Sequence, residues 1–331
     1  MLDEELIRES GNVTIFDSFV KADDVICNSG HDKILCSVSG GSDSDIILDI
    51  CEKVRGDKEI CYVFFDTGLE YKATKEHLGY LEDRYGVKIH AIRPFKTIPV
   101  SCKEFGQPFL SKYVSEHIDR LQKHGFQWED ERLETLMERY DKCKVSLQWW
   151  TNSFPDRRDG RKSRFNISAN KFLKEFMVDN PPWFKISNKC CKYTKKDVIK
   201  EAIKVTDADL DILGVRKFEG GARSTAYSGC FTANSGKADE YRPIFWYKDE
   251  DKRAYEDTYG IVHSDCYKVY GLDRTGCCGC PFGKYWENEL EVMRQYEPAL
   301  YKAASVIFAD SYEYALRFRE FKDERRGMTV E

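Results

Sequence analysis

A glycine-rich turn at residues 39–44 constrains the fold of this 331-residue chain more than any other feature. The turn directly follows a short apolar run, residues 33–38, that is typical of a strand. It directly precedes residues 45–54, where apolar side chains recur at helical spacing. Two glycines let the backbone approach a phosphate, and the following helix start offers free N–H groups and a positive dipole end. The turn consists of Ser39, Gly40, Gly41, Ser42, Asp43 and Ser44.

Strand, turn and helix in this order predict a phosphate-binding loop. The serine hydroxyls add hydrogen-bond donors, and Asp43 is suited to help hold Mg2+. Neither a GxxxxGK[ST] nor a GxGxxG motif is present, so a Walker loop and a dinucleotide fold are unsupported. The alternative is an ordinary helix start, because serine and aspartate are also good N-caps.

The N-terminal third alternates strands and helices, which predicts an α/β fold. A second strand at 60–65 ends at Asp66, Thr67 and Gly68, and a helix at 71–85 and a third strand at 87–92 follow. This alternation implies a parallel sheet covered on both faces. We expect a helical lead-in over 1–30, a nucleotide-binding domain over 31–250 with a helical insertion at about 105–185, and a cysteine-rich helical extension over 251–331.

Composition narrows the class of protein. The net charge is −5, so contact with nucleic acid would need a local basic patch. No apolar run approaches the 18 residues needed to cross a membrane, and the first five residues are acidic where a secretory signal would be basic. We therefore expect a cytoplasmic protein without a membrane contact. Disulfides are rare there, so the 13 cysteines need another explanation.

The motif SGGSDS after the first strand resembles the signature of the PP-loop ATP pyrophosphatases. Three further segments resemble the phosphoadenosine-phosphosulfate (PAPS) reductase branch of that superfamily. They are the DTG at 66–68, the segment from Arg216 through Glu219 to Arg223, and the C-terminal part from Pro243. The resemblance implies a HUP-like, doubly wound parallel five-stranded sheet that binds an adenine nucleotide, ATP with Mg2+. It also implies that Asp43, Arg216 and Arg223 act in catalysis and that Glu219 helps to position an arginine. Surface salt bridging is the simpler alternative for the two arginines.

The cysteines include an adjacent pair, Cys190 and Cys191, and a CxxC formed by Cys277 and Cys280. A CxxC turn presents two thiolates to one metal, whereas an adjacent pair is less usual for zinc. This arrangement resembles the assimilatory adenylylsulfate reductases, and the resemblance implies that these four cysteines hold a [4Fe–4S] cluster. Structural Zn2+ and plain burial of the cysteines remain as alternatives.

Two departures from the reductases redirect the functional prediction. No cysteine follows Cys280, so the nucleophilic tail cysteine of the sulfonucleotide reductases is missing, and the phosphate loop is intact. In both features the chain resembles the sulfur-transfer members of the superfamily. Those enzymes adenylate an oxygen of the substrate, and a sulfur nucleophile then displaces it. A cysteine desulfurase or another sulfur donor would be the partner, and Cys230, Cys266 and Cys278 are candidate relay thiols.

A nucleic-acid substrate would need a basic surface with stacking groups. The segment Arg157–Arg164 carries five basic residues, and Trp149 and Trp150 precede it. The alternative is a solvated loop with both tryptophans packed beneath it.

Three functions therefore remain open at this point. The first is an ATP-dependent sulfur-transfer enzyme with a cluster, and the second is a sulfonucleotide reductase that takes its thiol from elsewhere. The third is a nucleotide-binding regulator without turnover.

Overall fold

The computed structural model describes residues 9–219 and 226–328. The chain divides into two compact units, each built from two segments of the sequence. Unit one comprises Met1–Phe95 and Thr194–Cys278, and unit two comprises Lys96–Tyr193 and Gly279–Glu331. Within the described ranges, no helix combines the length and the apolar character that a membrane span requires.

Unit one contains a six-stranded sheet in the order β3-β2-β1-β4-β6-β5. Its first five strands in that order run parallel, and β5 pairs with β6 in antiparallel orientation at the edge. The strands are β1 (Ile34–Ser37), β2 (Ile60–Phe65), β3 (Ile89–Ile92), β4 (Leu210–Ile212), β5 (Phe231–Thr232) and β6 (Asp239–Tyr241). The predicted five-stranded parallel sheet is thus confirmed, and a two-residue sixth strand, too short to leave a sequence pattern, extends it.

Helices cover both faces of this sheet, as the prediction of a doubly wound fold requires. Alternate residues of β1 face opposite sides: Ile34 and Cys36 join the larger apolar core, and Leu35 joins the smaller one. The helix after the glycine-rich turn packs into the larger core, and the helix Asp197–Thr206 contributes Ala202 to the smaller. The helices of unit one are Val13–Asp23, Ser42–Val54, Lys72–Tyr85, Asp197–Thr206, Asp249–Tyr259 and Asp265–Lys268.

Strand order places the glycine-rich turn at the topological switch point of the sheet. β1 lies between β2 and β4. The strands that follow β1 in the chain, β2 and β3, lie on one side of it, and β4 to β6 lie on the other. Open parallel sheets bind ligands at the carboxyl ends of the strands beside such a point. The turn therefore occupies the position where this fold class binds nucleotides.

Unit two is helical and has its own aromatic core. Trp149 and Trp150 are fully buried within it, together with Phe109, Phe176 and Tyr314. The chain leaves helical geometry at Phe308 and buries that ring, so the C-terminal region forms separate helices before and after this residue. The helices of unit two are Ile98–Phe105, Lys112–Lys123, Leu133–Arg139, Lys144–Trp150, Leu173–Asp179, Lys189–Cys191, Trp286–Tyr296, Pro298–Ile307 and Ala309–Met328.

We predict that Asp49 is a stability residue of unit one. Its buried carboxylate accepts hydrogen bonds from the hydroxyls of Tyr255 at 2.6 Å and Tyr85 at 2.9 Å, and it pairs with Lys53. Asp49→Ala leaves these donors without an acceptor and should lower the free energy of unfolding by about 2–4 kcal/mol in chemical denaturation. Asp57→Ala, at an exposed position, is the matched control, and equal losses in both variants would contradict the prediction.

Candidate functional site

The glycine-rich turn is held in shape by its own side chains. Gly40 has a φ of +66°, and a Cβ at this position would lie 2.7 Å from Thr74 Cγ2. The Gly41 N–H donates to Ser44 Oγ at 3.1 Å, and the Ser44 hydroxyl donates back to Gly41 O at 2.7 Å. The Ser42 N–H donates to the Tyr267 hydroxyl at 3.0 Å. Ser44 Oγ and the Tyr267 hydroxyl oxygen thus accept hydrogen bonds from two backbone amides of the turn. The same amides are able to donate to phosphate oxygens.

Asp43 lies between two cations in the first turn of the helix Ser42–Val54. Arg216 Nε is 3.0 Å from one carboxylate oxygen, and Lys252 Nζ is 2.8 Å from the other. Arg216 follows β4 and also pairs with Asp249 at 2.8 Å. Although burial opposes the charged guanidinium, Asp249 and Asp43 raise the pKa of Arg216 above its usual value. The structure therefore joins two predicted residues, Asp43 and Arg216, that lie 173 positions apart.

The other predicted residues of the arginine segment divide between described and undescribed positions. Glu219 lies in an exposed single turn directly after Arg216, and its N–H donates to Arg216 O at 3.3 Å. The carboxylates that hold the Arg216 side chain are those of Asp43 and Asp249. Arg223 lies outside the described residues.

A second ionic chain starts from Asp45, two residues further along the same helix. Its buried carboxylate is 2.7 Å from His263 Nδ1 and 3.1 Å from His77 Nε2. The other ring nitrogen of His263 is 2.9 Å from Glu256, which in turn lies 3.8 Å from the Lys252 ammonium. Burial opposes a charged ring, but Asp45 and Glu256 outweigh it and raise the pKa of His263 to about 9. His263 is therefore a cation at neutral pH.

The DTG loop at the end of β2 is organised by Glu70. The backbone N–H groups of Thr67 and Gly68 both donate to the Glu70 carboxylate at 3.0 Å, and the Thr67 hydroxyl also bonds to it. Burial raises the pKa of Glu70. Thr67 Oγ1 lies 3.8 Å from Cys277 Sγ, and the Cys278 N–H donates to Leu69 O at 2.9 Å. Within unit one, the DTG loop thus contacts the start of the CxxC.

Cys190, Cys191 and Cys280 all belong to unit two, where Cys102 lies next to them. The helix Ile98–Phe105 packs on the short helix Lys189–Cys191, and hydrogen bonding with Cys102 raises the pKa of the Cys190 thiol well above its usual value. Cys191 and Cys280 are also close enough to influence this pKa.

Gly106 brings these two segments together. Its φ is +112°, and a Cβ there would lie 2.3 Å from Lys185 O. The next residue continues the contact, because the Gln107 N–H donates to Lys185 O at 2.8 Å and Gln107 O accepts from the Ser187 N–H at 2.9 Å. This backbone pairing fixes the chain just before the Cys-Cys pair against the segment that carries Cys102.

The thiol donors have the chemistry that a cluster or a zinc ion needs. Across the described part of the chain, no group of three or more Cys, His, Asp or Glu side chains already converges for a single metal ion. The ligand set Cys190, Cys191, Cys277 and Cys280 stays a prediction. Of the candidate relay thiols, Cys266 and Cys278 are fully buried, and Cys230 is half-buried.

The basic segment Arg157–Arg164 lacks the expected tryptophan partners. Trp149 stacks on His117 within the core, and Trp150 Nε1 donates to Glu129 O at 2.8 Å. Both rings are fully buried, so of the two interpretations left open by the sequence, packing of the tryptophans is the one observed, and the rings do not offer a stacking surface. The basic side chains are mostly exposed, and Asp156 and Asp159 pair with three of them: Arg157, Arg161 and Lys162.

Sequence reasoning missed several residues that reach their partners through the fold from distant positions, because no motif marks them. Around the turn in unit one they are His77, Asp249, Lys252, Glu256, His263 and Tyr267. Beside Cys190 in unit two it is Cys102.

Residues 33–127 match the family model of the phosphoadenosine phosphosulfate reductase domain. This match covers less than a third of the chain. The match includes the glycine-rich turn, the first three strands and the DTG loop, so the resemblance to the PAPS reductase branch is confirmed over this region.

Relatives in sequence include one sulfonucleotide reductase and two uncharacterised proteins. Adenosine 5'-phosphosulfate reductase 1 of Bacillus subtilis is 35% identical over 80 residues, which are 23% of this chain and 34% of that protein. The protein MJ0066 of Methanocaldococcus jannaschii is 37% identical over 75 residues, 23% of this chain and 15% of that protein. A 37.8 kDa protein of Escherichia phage 186 is 27% identical over 254 residues, 74% of this chain and 66% of that protein. The matches span less than two thirds of each relative.

Solved structures with a similar fold include two sulfur enzymes. The PAPS reductase of Candida auris aligns with a TM-score of 0.43 and 12% identity, covering 84% of this chain and 96% of that one. The U34-tRNA thiolase NcsA of Methanococcus maripaludis, solved with its [4Fe-4S] cluster, aligns with a TM-score of 0.39 and 9% identity, covering 91% and 78%.

The pKa of His263 predicts how the stability of the protein depends on pH. A folded-state pKa of about 9, above the ordinary 6.5, means that the ring stabilises the fold fully below about pH 6.5. This contribution is lost as the pH rises through about 9. His263→Gln should therefore lower the free energy of unfolding at pH 6.5 by on the order of 2 kcal/mol and flatten its decline between pH 6.5 and 9.

Urea denaturation at several pH values measures this decline. The matched control is His90→Gln, which changes an exposed ring on β3 and should keep the wild-type slope. An unchanged slope in His263→Gln would show that the ring carries no such charge.

Proposed function

We propose that this protein is a PP-loop enzyme that cleaves ATP to AMP and pyrophosphate in order to activate a substrate for sulfur transfer. The observation that carries the proposal is the intact SGGSDS turn at the switch point of a parallel sheet, with Asp43 between Arg216 and Lys252. A turn of this kind is suited to the three phosphates of a nucleoside triphosphate, whereas a sulfonucleotide has no pyrophosphate to place there.

In the proposed reaction the turn and the arginines orient the phosphates. An oxygen of the acceptor attacks the α-phosphorus, the bond to the α–β bridging oxygen breaks, and pyrophosphate leaves. A sulfide-level sulfur nucleophile then displaces AMP from the activated acceptor. Arg216, which pairs with Asp43 of the turn, would contact the phosphates, and the family resemblance implies the same role for Arg223.

Mg2+ would neutralise the phosphate charge, and Asp43 is its candidate ligand within the turn. The carboxylate fits this role because it lies in the first turn of the loop helix and keeps about a quarter of its surface exposed. The backbone amides of the same turn are donors and would remain with the phosphate oxygens.

We also propose that the chain carries a [4Fe–4S] cluster on Cys190, Cys191, Cys277 and Cys280, with Zn2+ as the alternative metal. The buried Cys190 thiol, in contact with other thiols, and the CxxC spacing support this. A cluster would supply a site for bound sulfide or for electron transfer. The sulfur donor would be a desulfurase, whose persulfide a thiol reductant would convert to sulfide, or another carrier of sulfide. A nucleic-acid acceptor would contact the Arg157–Arg164 segment.

The similarity to adenosine 5'-phosphosulfate reductase 1 supports a second candidate function. In this alternative the protein reduces a sulfonucleotide to sulfite with a thiol supplied by another protein. The intact SGGSDS turn disfavours it, because a sulfonucleotide has no pyrophosphate to place there.

The first test measures turnover of the anaerobically purified chain. We expect pyrophosphate and AMP from ATP in the presence of Mg2+ and an acceptor such as bulk tRNA or DNA. Asp43→Asn should lower the rate by at least tenfold. Sulfite release from adenylylsulfate with added thioredoxin would instead establish the reductase, and tight ATP binding without turnover would indicate a regulator.

The second test identifies the metal. We expect about four irons and four sulfides per chain, an iron–sulfur absorption band, and no zinc. Cys280→Ser should lose the chromophore, whereas Cys143→Ser, a buried cysteine of unit two outside the predicted ligand set, should keep it. One zinc per chain without sulfide would contradict the cluster.

A further inference from the structure

Lys252 lies at the surface of the glycine-rich turn although no motif marks it. It extends from the helix Asp249–Tyr259, and its ammonium is 2.5 Å from Ser42 Oγ and 2.8 Å from Asp43 Oδ1. Only 15% of the side chain is exposed. A second cation therefore accompanies Arg216 at the start of the loop helix.

The two carboxylates near Lys252 each pair with a second cation as well. Asp43 is divided between Lys252 and Arg216, and Glu256, 3.8 Å from the ammonium, is closer to His263 at 2.9 Å. Neither carboxylate belongs to Lys252 alone. A lysine has a flexible stem and three donors, so its ammonium is able to turn from a shared carboxylate to a phosphate oxygen without a backbone movement.

The charge of Asp43 affects how Arg216 and Lys252 would bind a triphosphate. A triphosphate placed at the turn would bring negative charge next to this carboxylate, and a divalent cation on Asp43 relieves that repulsion. A divalent ion held by Asp43 would leave Arg216 and Lys252, which now flank this carboxylate, able to pair with phosphate oxygens.

We infer that Lys252 is a phosphate-binding residue that, together with Arg216, recognises the terminal pyrophosphate of a nucleoside triphosphate. This inference rests on the proposed function and deepens it, because it makes Lys252 a determinant of triphosphate over monophosphate ligands. Lys252 contacts Ser42 and Asp43, so its ammonium would meet phosphates bound at this part of the turn. In this inference the nucleoside and the α-phosphate are recognised by other residues.

The test is isothermal titration of the full chain with MgATP and, separately, with AMP. Lys252→Gln should weaken MgATP binding by on the order of tenfold to a hundredfold while AMP binding stays within twofold of the wild type. Lys252→Arg should recover part of the loss because it restores the charge. The matched control is Lys248→Gln, whose exposed ammonium pairs with Glu250 on the same helix start, and it should change neither affinity.

Three other outcomes of the titration would contradict the inference, and each shows which part of it is wrong. Equal MgATP affinities of Lys252→Gln and the wild type would show that Lys252 does not bind phosphate, while the proposed ATP site would stand. An equal loss for MgATP and AMP would show that Lys252 only holds the turn in shape. A wild-type chain that binds no MgATP would overturn the proposed function itself, and the inference with it.

Discussion

The neutralisation of two carboxylates in one helical turn is the interaction on which the candidate site depends. Asp43 and Asp45 begin the helix after the glycine-rich turn, where the positive end of the helix dipole favours acidic side chains. Their charges are met by cations from three other parts of unit one: Arg216 after β4, Lys252 in a later helix, and His263 beyond it. Because buried charges are costly unless paired, these pairs hold the segments around the turn.

Local patterns predicted the part of the site that is formed by neighbours in sequence. The turn at 39–44, the strand Ile60–Phe65 and the DTG loop were all predictable, because apolar runs and glycine punctuation specify strands and the turns that end them. The order of strands and helices then predicted a parallel sheet with the turn at its carboxyl edge.

The rest of the site depends on partners far apart in sequence. Lys252 and Glu256 look like an ordinary surface pair on a charged helix, and only the fold places Lys252 on the turn. Cys102 sits outside any cysteine motif and meets Cys190 because Gly106 permits close backbone pairing. The sequence leaves the position of Trp149 and Trp150 open for a related reason: a basic segment follows them, and only helix packing shows that both rings are buried.

The contact between the DTG loop and the start of the CxxC makes the two thermodynamically linked. Thr67 bonds to Glu70 and also lies against Cys277, while Leu69 accepts from the Cys278 backbone. A ligand that rearranges this loop changes the free energy of any reaction or binding at Cys277. A reaction or binding at Cys277 then changes the binding free energy of that ligand by the same amount. Under the proposed function, a nucleotide affinity measured for the oxidised chain would therefore differ from that of the reduced chain, and the affinity and the redox state would have to be determined together.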